Sequence, residues 1–215
     1  METAELKRDF SKIYTENYWG GVESASGKGS DPGQTGILIR TLQQLLIRRE
    51  IKSVVDLGCG DVSWFGKVQG VLSSYLGVEI VQELVDKNTA VLGHMGFTFA
   101  QGDVTRFKIP AMDAVLCRDV LCHLVYEDAI RMLRNVAQSG ARWFLSTTFF
   151  GAGRLNPPEA PGTMSWYPIC LTAPPFSLPQ PSEVIVEECT DRGFEDKGLG
   201  VWRVKDMTIQ GGIPL

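Results

Sequence analysis

Short apolar runs alternate with amphipathic stretches along most of the chain. Runs of this kind predict strands buried on both faces of a sheet, and they occur at 54–57, 74–80, 96–101, 112–117, 142–148, 183–189 and 198–205. Apolar residues recur at helical spacing in 4–17, 33–50 and 126–138. The alternation of strands and helices favours an α/β fold with a mostly parallel sheet.

The first predicted strand ends in a glycine-containing turn. Gly58 and Gly60 follow Asp56 and lack side chains where the backbone must approach a nucleotide-like ligand. A dinucleotide fingerprint would place a third glycine at position 63, which is serine, so a pyrophosphate site is not indicated. The polar residues that come next could open a helix. Gly-x-Gly alone occurs in many turns, so the neighbouring strands decide its meaning.

Two further acids follow predicted strands. Glu79 ends the second strand, where a carboxylate can accept hydrogen bonds from both hydroxyls of a ribose. Asp103 follows the third strand and is placed to accept from the exocyclic amine of adenine. With Asp56 they would lie at the carboxyl ends of three successive parallel strands. Three ordinary polar strand exits are the alternative, but the ordered trio favours a nucleoside-like ligand.

This spacing resembles the class I S-adenosylmethionine (SAM)-dependent methyltransferases, whose cofactor carries a ribose, an adenine and a sulfonium but no phosphate. The resemblance implies a Rossmann-like sheet of seven strands, mostly parallel with an antiparallel last strand, and helices on both faces. It also implies SAM as the cofactor. The cofactor-binding residues expected on this basis are Trp19, Ser26, Asp56, Gly58, Gly60, Glu79, Ile80, Asp103, Val104 and Arg118.

Other motifs are similar to those of a narrower group of small stand-alone methyltransferases. They are Tyr18-Trp19-Gly20-Gly21, Cys59-Gly60-Asp61 with Trp64, Cys117-Arg118-Asp119 with His123, and Pro175-Phe176. The group includes a sugar O-methyltransferase of mycobacterial methylmannose polysaccharide synthesis, which implies a hydroxyl of a sugar or another small polar metabolite as the acceptor. Its pattern has Arg and Asn where this chain has Tyr167 and Cys170, so the substrate part departs from the group.

Candidate catalytic residues follow the fourth strand. Strands one and four flank the point where the strand order reverses, so we expect His123 and Asp119 near the transferred methyl group. An imidazole suits the removal of a proton from an alcohol, and Asp119 would orient it or bind substrate. Alternatively, His123 caps the helix that begins near Tyr126. A weaker hypothesis is that Asp61, Asp119 and Glu127 hold Mg²⁺ and acidify a sugar hydroxyl.

Two segments without regular periodicity flank these strands. Segment 18–30 is rich in glycine and serine and predicts a mobile lid over the methionine end of SAM, because a mere linker has little use for an exposed Trp19. Segment 150–181 is rich in proline and glycine and predicts a shaped substrate wall. The expected substrate-binding residues are Tyr14, Tyr18, Trp64, Trp166 and Tyr167.

The length of 215 residues suits one domain. We expect N-terminal helices and the lid in 1–50, a cofactor-binding core in 51–149, the substrate loop in 150–181 and closing strands in 182–215. No stretch has the length and apolarity of a transmembrane helix or the h-region of a signal peptide, so no membrane partner is expected. The five cysteines show neither CxxC nor zinc spacing, which predicts buried free thiols and a cytoplasmic protein.

The charge limits the class of function. A net charge of −4 argues against a large nonspecific nucleic-acid surface, although a local basic groove would be compatible with it. Strand four exits into Cys-Arg-Asp-Val, not into the Asn/Asp-Pro-Pro-aromatic turn typical of amino-methylating DNA enzymes. An O-methyltransferase of a small polar hydroxyl compound is the preferred hypothesis. A methyltransferase acting on RNA or protein and a non-catalytic SAM-binding protein are the alternatives, and the oligomeric state stays open.

Overall fold

The computed structural model describes residues 1–68, 70–209 and 213–214. Its α-helices are α1 Thr3–Thr15, α2 Pro32–Arg48, α3 Gln82–Leu92 and α4 Tyr126–Ala137. The main sheet consists of β1 Ser53–Leu57, β2 Ser74–Glu79, β3 Phe97–Gln101, β4 Ala114–Cys117, β5 Trp143–Phe149, β6 Glu183–Val186 and β7 Lys197–Arg203. A short hairpin pairs β8 Thr208–Ile209 with β9 Ile213–Pro214.

The main sheet has the strand order β3-β2-β1-β4-β5-β7-β6. Strands β1 to β5 pair in parallel, whereas β7 runs antiparallel to both of its neighbours, β5 and β6. The chain leaves β3 at one edge and returns beside β1 as β4, which creates the reversal point expected of a ligand site. This topology confirms the predicted Rossmann-like sheet with an antiparallel last strand.

Apolar side chains fill a layer on each face of the sheet. One layer packs Leu6 of α1 and Met132 of α4 against Val55. The other packs Leu38 of α2 against Val54. Neighbouring residues of β1 face opposite layers because side chains alternate along a strand, and continuous burial of β1 on both faces explains its unbroken apolar run. No helix in the described ranges has the length and apolarity needed to cross a membrane.

Segment 150–181 contains no helix or strand, yet side-chain hydrogen bonds fasten it. The Nδ2 of Asn156 donates to the carbonyls of Cys170 and Pro174, each at 2.8 Å, and its Oδ1 accepts from the Cys170 N–H at 2.8 Å. Phe176 is fully buried in the layer that contains α4. The five cysteines of the chain are free thiols, and four of them are buried.

Three expectations about the elements need correction. The sixth strand ends at Val186, not at 189, and β7 gives way to a 3₁₀ turn after Arg203. No α-helix opens after Gly60; instead a turn leads to a 3₁₀ helix at Phe65–Val68. Val62 lies in the left-handed region with φ 48°, which interrupts a right-handed helix at that point.

Asp56 lies inside the sheet layer and not at its ligand-binding edge. It shares a strand face with Val54, and its Oδ2 accepts a hydrogen bond of 2.8 Å from the Tyr75 hydroxyl. The carboxyl group borders neither cavity described below, so the expectation that it binds the cofactor is corrected. Burial raises the pKa of Asp56 to about 7, against the lowering effect of the Tyr75 hydroxyl.

Asp56→Asn tests this buried carboxyl group. Its pKa is 3.8 in the unfolded chain and about 7 in the fold, so its contribution to stability is fully present below pH 3.8 and is lost as the pH rises to about 7. Asparagine keeps an oxygen for Tyr75 but does not titrate. As the pH rises from about 4 to about 7, the wild type should lose stability and the variant should not. The difference in free energy of unfolding, variant minus wild type, should therefore increase over this range, as measured by urea denaturation. A difference that stays constant with pH would contradict the shifted pKa.

Candidate active site

Two adjoining cavities open at the carboxyl edge of the parallel strands. The first has a volume of about 920 Å³ and the second about 1010 Å³, each including the solvent in its mouth. The ends of β1 to β4 and the inner face of α1 line the first cavity. The second lies between segment 18–30, the end of β5 and the β6–β7 connection. Trp19, Ser26 and Asp119 border both cavities, so together they form the shared wall.

The glycines after β1 form the floor of the first cavity. A Cβ on Gly58 would lie 2.5 Å from the Cγ2 of Val120, and one on Gly60 would lie 2.3 Å from the Oγ of Ser26. Both glycines have positive φ, 74° and 58°, a region that other residues rarely adopt. Only glycine at these two positions allows the backbone, Val120 and Ser26 to approach one another here.

Backbone donors hold Glu79 at the cavity wall. Its Oε1 accepts from the N–H groups of Ile80 at 2.8 Å and Val81 at 3.0 Å, and its Oε2 accepts from that of Gly60 at 3.1 Å. Burial raises the pKa of Glu79, and these three donors oppose the rise. Each carboxylate oxygen can accept more than one hydrogen bond. The carboxylate therefore has a fixed orientation and spare capacity for ribose hydroxyls.

Asp103 occupies the far side of the same cavity. Its Oδ1 accepts from the N–H of Thr105 at 2.9 Å and from the Thr105 hydroxyl at 2.7 Å, and its Oδ2 accepts from the hydroxyl of Thr3 at 2.6 Å. Ile80 and Val104 supply apolar surface nearby. An acid between two aliphatic side chains fits an adenine ring with an exocyclic amine, and the Thr3 contact fastens α1 over this end.

Two of the five expected substrate-binding residues border the first cavity instead of the second. Tyr14 projects from α1, and the ring of Trp64 lies 5.0 Å from the guanidinium of Arg118. Trp166 does border the second cavity. Tyr18 and Tyr167 border neither, because Tyr18 is 52% exposed after the end of α1 and Tyr167 is buried edge-on against a neighbouring tyrosine.

Four charged side chains meet beside the shared wall: Arg118, Asp119, Glu187 and Lys197, here called the charge cluster. The guanidinium of Arg118 lies 2.6 Å from Oε2 of Glu187 and 3.2 Å from Oδ2 of Asp119. The ammonium of Lys197 lies 2.7 Å from Oδ2 of Asp119 and 3.4 Å from Oε2 of Glu187. Arg118 also donates to the carbonyl of Gly29 at 2.8 Å, so the cluster fastens segment 18–30.

Mutual attraction keeps members of the cluster ionised despite their burial. Burial favours the neutral form of Asp119, but Lys197 and Arg118 outweigh that effect and hold its pKa well below the usual range. Burial likewise favours neutral Lys197, and Asp119 raises its pKa above the ordinary value. Arg118 thus has two positions at once: its guanidinium pairs with the acids of the charge cluster, and its side chain borders the first cavity.

Sequence reasoning missed Glu187 and Lys197. Glu187 comes directly after β6, and Lys197 begins β7. Because β7 is antiparallel, its amino end lies at the same edge of the sheet as the carboxyl end of β6. The predicted antiparallel last strand was thus a usable signal for both residues.

The imidazole of His123 borders the second cavity and is 7% exposed. Its Nδ1 lies 2.6 Å from the carbonyl oxygen of Ser165. A carbonyl only accepts, so Nδ1 carries the hydrogen and the lone pair of the neutral ring is on Nε2. Burial lowers the pKa of His123, which the Ser165 carbonyl and Asp119 partly oppose.

This geometry corrects two expectations about His123. The N-cap of α4 is Val125 and has no side-chain cap, so His123 does not cap that helix. Asp119 makes no hydrogen bond to His123 within the described residues; its oxygens accept from Thr147 at 3.0 Å and from Lys197. The carbonyl of Ser165 orients the ring instead of Asp119.

Segment 18–30 lies closed over the cavities. The hydroxyl of Ser24 is 2.9 Å from Oδ2 of Asp61, and Asp31 accepts from the N–H groups of Val22 and Glu23 at 3.3 and 3.2 Å. Trp19 is half-buried against His123 and is not the exposed indole that the sequence suggested. The lid expected from composition is thus a folded segment with specific anchors.

The residues of the magnesium hypothesis are not brought together. Asp61 binds Ser24, Asp119 belongs to the charge cluster, and Glu127 is exposed in the first turn of α4. Across the described part of the chain, no group of three or more His, Cys, Asp and Glu residues has an arrangement that could hold a metal ion.

Comparisons with known proteins bear on the family and the fold. Residues 55–145 match the family model described as a methyltransferase domain. The structure is similar to magnesium protoporphyrin IX methyltransferase from Synechocystis PCC 6803 with bound SAM, with a TM-score of 0.63, 16% identity, and 94% of this chain and 96% of that chain covered. It is also similar to the methyltransferase domain of bacterial CtHen1-CN, with a TM-score of 0.57, 13% identity, and 79% of this chain and 99% of that chain covered. A comparison with curated proteins finds no relative.

The family match shows a methyltransferase domain, and the structural likeness shows the class I fold. The first cavity fits SAM in its own right, because it combines two acids at strand ends, a glycine floor and flanking aliphatic side chains. The chain therefore carries a SAM-dependent methyltransferase domain.

Glu79→Gln is expected to weaken binding of S-adenosylhomocysteine roughly ten- to a hundredfold, because a hydrogen bond to a charged group is worth about 1.5–3 kcal/mol. Glutamine keeps the shape of the side chain and one acceptor oxygen. The matched control is Glu83→Gln, on the exposed first turn of α3. Isothermal calorimetry measures both variants, and equal affinity of Glu79→Gln and the wild type would remove Glu79 from the cofactor site.

The closed segment 18–30 offers a protease test of lid behaviour. Lys28 is exposed within it, so trypsin can cut there whenever the segment opens. S-adenosylhomocysteine should slow cleavage after Lys28 but not cleavage after the exposed Lys205, which borders neither cavity; mass spectrometry of the fragments follows both cuts. Identical rates at Lys28 with and without ligand would mean that the segment does not close on the cofactor.

Proposed function

Because the chain carries a SAM-dependent methyltransferase domain, we propose that it methylates a hydroxyl group of a small polar metabolite such as a sugar. SAM would bind in the first cavity and the acceptor in the second. The observation that carries the proposal is the shared wall of Trp19, Ser26 and Asp119, with His123 on its acceptor side. Adjoining cavities that share these residues place a methyl group and a nucleophile side by side, so that the two meet without crossing bulk water.

Residues of the first cavity divide among the parts of the cofactor. Glu79 accepts from the ribose hydroxyls and Asp103 from the adenine amine, with Ile80 and Val104 against the ring. Segment 18–30 covers the methionine end, where the buried Nε1–H of Trp19 has no hydrogen-bond partner in the described structure. When bound, SAM supplies an electrophilic methyl group on a sulfonium. The chain's own task is to hold the acceptor oxygen in line with it.

The chemistry of the second cavity suits a polyhydroxylated acceptor. Carboxylate, ammonium and amide groups line it together with aromatic rings: Lys28, Gln34, Asp119, Phe149, Trp166, Glu187, Asp191, Phe194 and Lys197. Polar side chains can hydrogen-bond hydroxyls, and an aromatic ring can cover the apolar face of a sugar. The motif resemblance to the sugar O-methyltransferase group points to the same acceptor class.

His123 would act as the general base. The neutral ring has its lone pair on Nε2, because Nδ1–H donates to the carbonyl of Ser165. The proton of the acceptor hydroxyl would move to Nε2 as the hydroxyl oxygen takes the methyl group, and the electron pair of the broken carbon–sulfur bond would stay with the thioether that leaves. The imidazolium that results is stabilised by the negative charge of Asp119 nearby. Loss of this proton to bulk water would regenerate the base.

The two alternatives receive less support. A non-catalytic SAM-binding protein needs no second cavity and no oriented imidazole. An RNA or protein methyltransferase needs an open surface for a large acceptor, whereas the second cavity is partly enclosed by Trp19, Trp166 and Phe194. A turnover assay with labelled SAM tests all three classes when methylated and unmethylated oligosaccharides, small hydroxy acids and RNA are offered in parallel. Transfer to RNA alone would overturn the proposal.

His123→Ala should lower turnover roughly a hundredfold or more while cofactor affinity hardly changes. In the wild type the rate should rise with pH as the imidazole loses its proton, then level off. Burial lowers the pKa of His123, so this limb should lie on the acid side of an ordinary histidine. The limb should disappear in the variant. Initial rates over a pH series, with and without EDTA, measure both effects.

A different result would reassign the activating role. If EDTA abolishes wild-type turnover while His123→Ala keeps most of it, a metal ion activates the hydroxyl and His123 is not the base. His94→Ala is the matched control, because His94, the other histidine of the chain, is exposed and borders neither cavity. Its pH profile should equal that of the wild type.

A further inference from the structure

The indole of Trp19 lies nearly flat against the imidazole of His123. The two ring centroids are 4.3 Å apart and the ring planes differ by 23°. Phe10 of α1 meets both rings edge-on, with centroids 6.2 Å from Trp19 and 6.5 Å from His123. The imidazole is thus covered on one face by an aromatic side chain from segment 18–30.

The bond from Nδ1 to Ser165 does not by itself fix the plane of the ring. The terminal torsion of a histidine is broad, and a single hydrogen bond leaves the ring free to tilt about it. Asp119 and Lys197 act on His123 through charge, without a hydrogen bond to it in the described structure, and Cys122 precedes it in the same 3₁₀ turn. The face contact with Trp19 covers the plane of the ring, and together with the edge contact of Phe10 it restricts the tilt and the direction of Nε2.

Trp19 is itself placed to respond to ligand. It borders both cavities, and its buried Nε1–H has no hydrogen-bond partner among the described residues. A Cβ on Gly27 would lie 3.1 Å from the Cβ of Trp19, so the backbone of segment 18–30 packs closely behind the indole. An acceptor atom on a bound ligand would satisfy this N–H and fix the indole, and through it the imidazole.

We propose that Trp19 is a positioning residue for His123, holding the imidazole plane so that Nε2 faces the acceptor cavity. The inference rests on the proposed role of His123 as the base. It adds that closure of segment 18–30 and orientation of the base are one event, because Trp19 belongs to the segment and stacks on the ring.

NMR titration of the histidine ring tests the stack without any acceptor. The chain has two histidines, so a His94→Gln background leaves His123 as the single ring signal. In Trp19→Ala water reaches the ring, and the titration midpoint of His123 should move upward toward that of an ordinary histidine. Trp19→Phe keeps a flat ring and should keep most of the depression. Tyr18→Ala removes the exposed aromatic ring next to Trp19 in the same segment, which borders neither cavity, and should leave the midpoint unchanged.

Kinetics then separate positioning from shielding. Trp19→Ala should lower kcat about tenfold or more and move the acid limb of the rate profile by the same amount as the NMR midpoint, whereas Trp19→Phe should restore most of kcat. An unchanged midpoint in Trp19→Ala, or a shifted midpoint with unchanged kcat, would overturn the inference; circular dichroism checks that the variants fold. Failure of the proposed function looks different, because His123→Ala would then keep its activity while the stack still shifts the midpoint.

Discussion

Arg118, Asp119, Glu187 and Lys197 remove two positive and two negative charges from water where β4, β6 and β7 end or begin. Such charges are tolerated only with near-complete pairing, and taking one away from a buried pair costs about 3–5 kcal/mol. Each acid here contacts both bases, so the four side chains cannot move independently. Asp119 borders both cavities, and the cluster therefore holds in place one of the residues that the cavities share.

The cluster also controls the state of the neighbouring imidazole. Burial disfavours a charged His123, Lys197 disfavours it further, and Asp119 favours it. Because Asp119 is paired with Lys197 at 2.7 Å, much of its charge is compensated before it acts on the ring. Burial prevails, and the ring is kept neutral and able to accept a proton. A paired acid near the base limits how far the pKa of the base can rise.

Whether the sequence predicts the position of a site residue depends on where that residue lies relative to the end of a strand. Apolar runs predicted all seven strands of the main sheet, and the acids at strand ends located Glu79 and Asp103 at the first cavity. Asp56 failed because it lies within β1, where alternation and not the strand end decides its direction. The hydrogen bond from the Tyr75 hydroxyl allows the Asp56 carboxyl group to be buried in the sheet layer. The local sequence around Asp56 does not reveal this contact.

Residues on loops were predicted least well, for a similar reason. Of the five aromatic residues expected to bind substrate, only Tyr14 lies on a helix, α1, and the other four lie on loops or turns. Aromatic character does not determine which side of a loop faces a cavity. Asn156 fastens the segment that carries Tyr167 through carbonyls more than ten residues away, and Tyr167 is buried within that segment. The placement of Glu187 and Lys197 required the pairing of β6 with β7 in addition to their own positions.

Coupling between the two cavities follows from the same contacts. Arg118 borders the first cavity, and its guanidinium binds Glu187 of the second and the carbonyl of Gly29 in segment 18–30. Opening the segment far enough to release Gly29 would leave a donor of Arg118 unpaired, so the closed segment and the intact cluster stabilise each other. Trp19 is part of this segment, and its indole stacks on the imidazole of His123. The residues that border both cavities are thus assembled only when segment 18–30 is closed, and the groups of the two cavities reach their working geometry together.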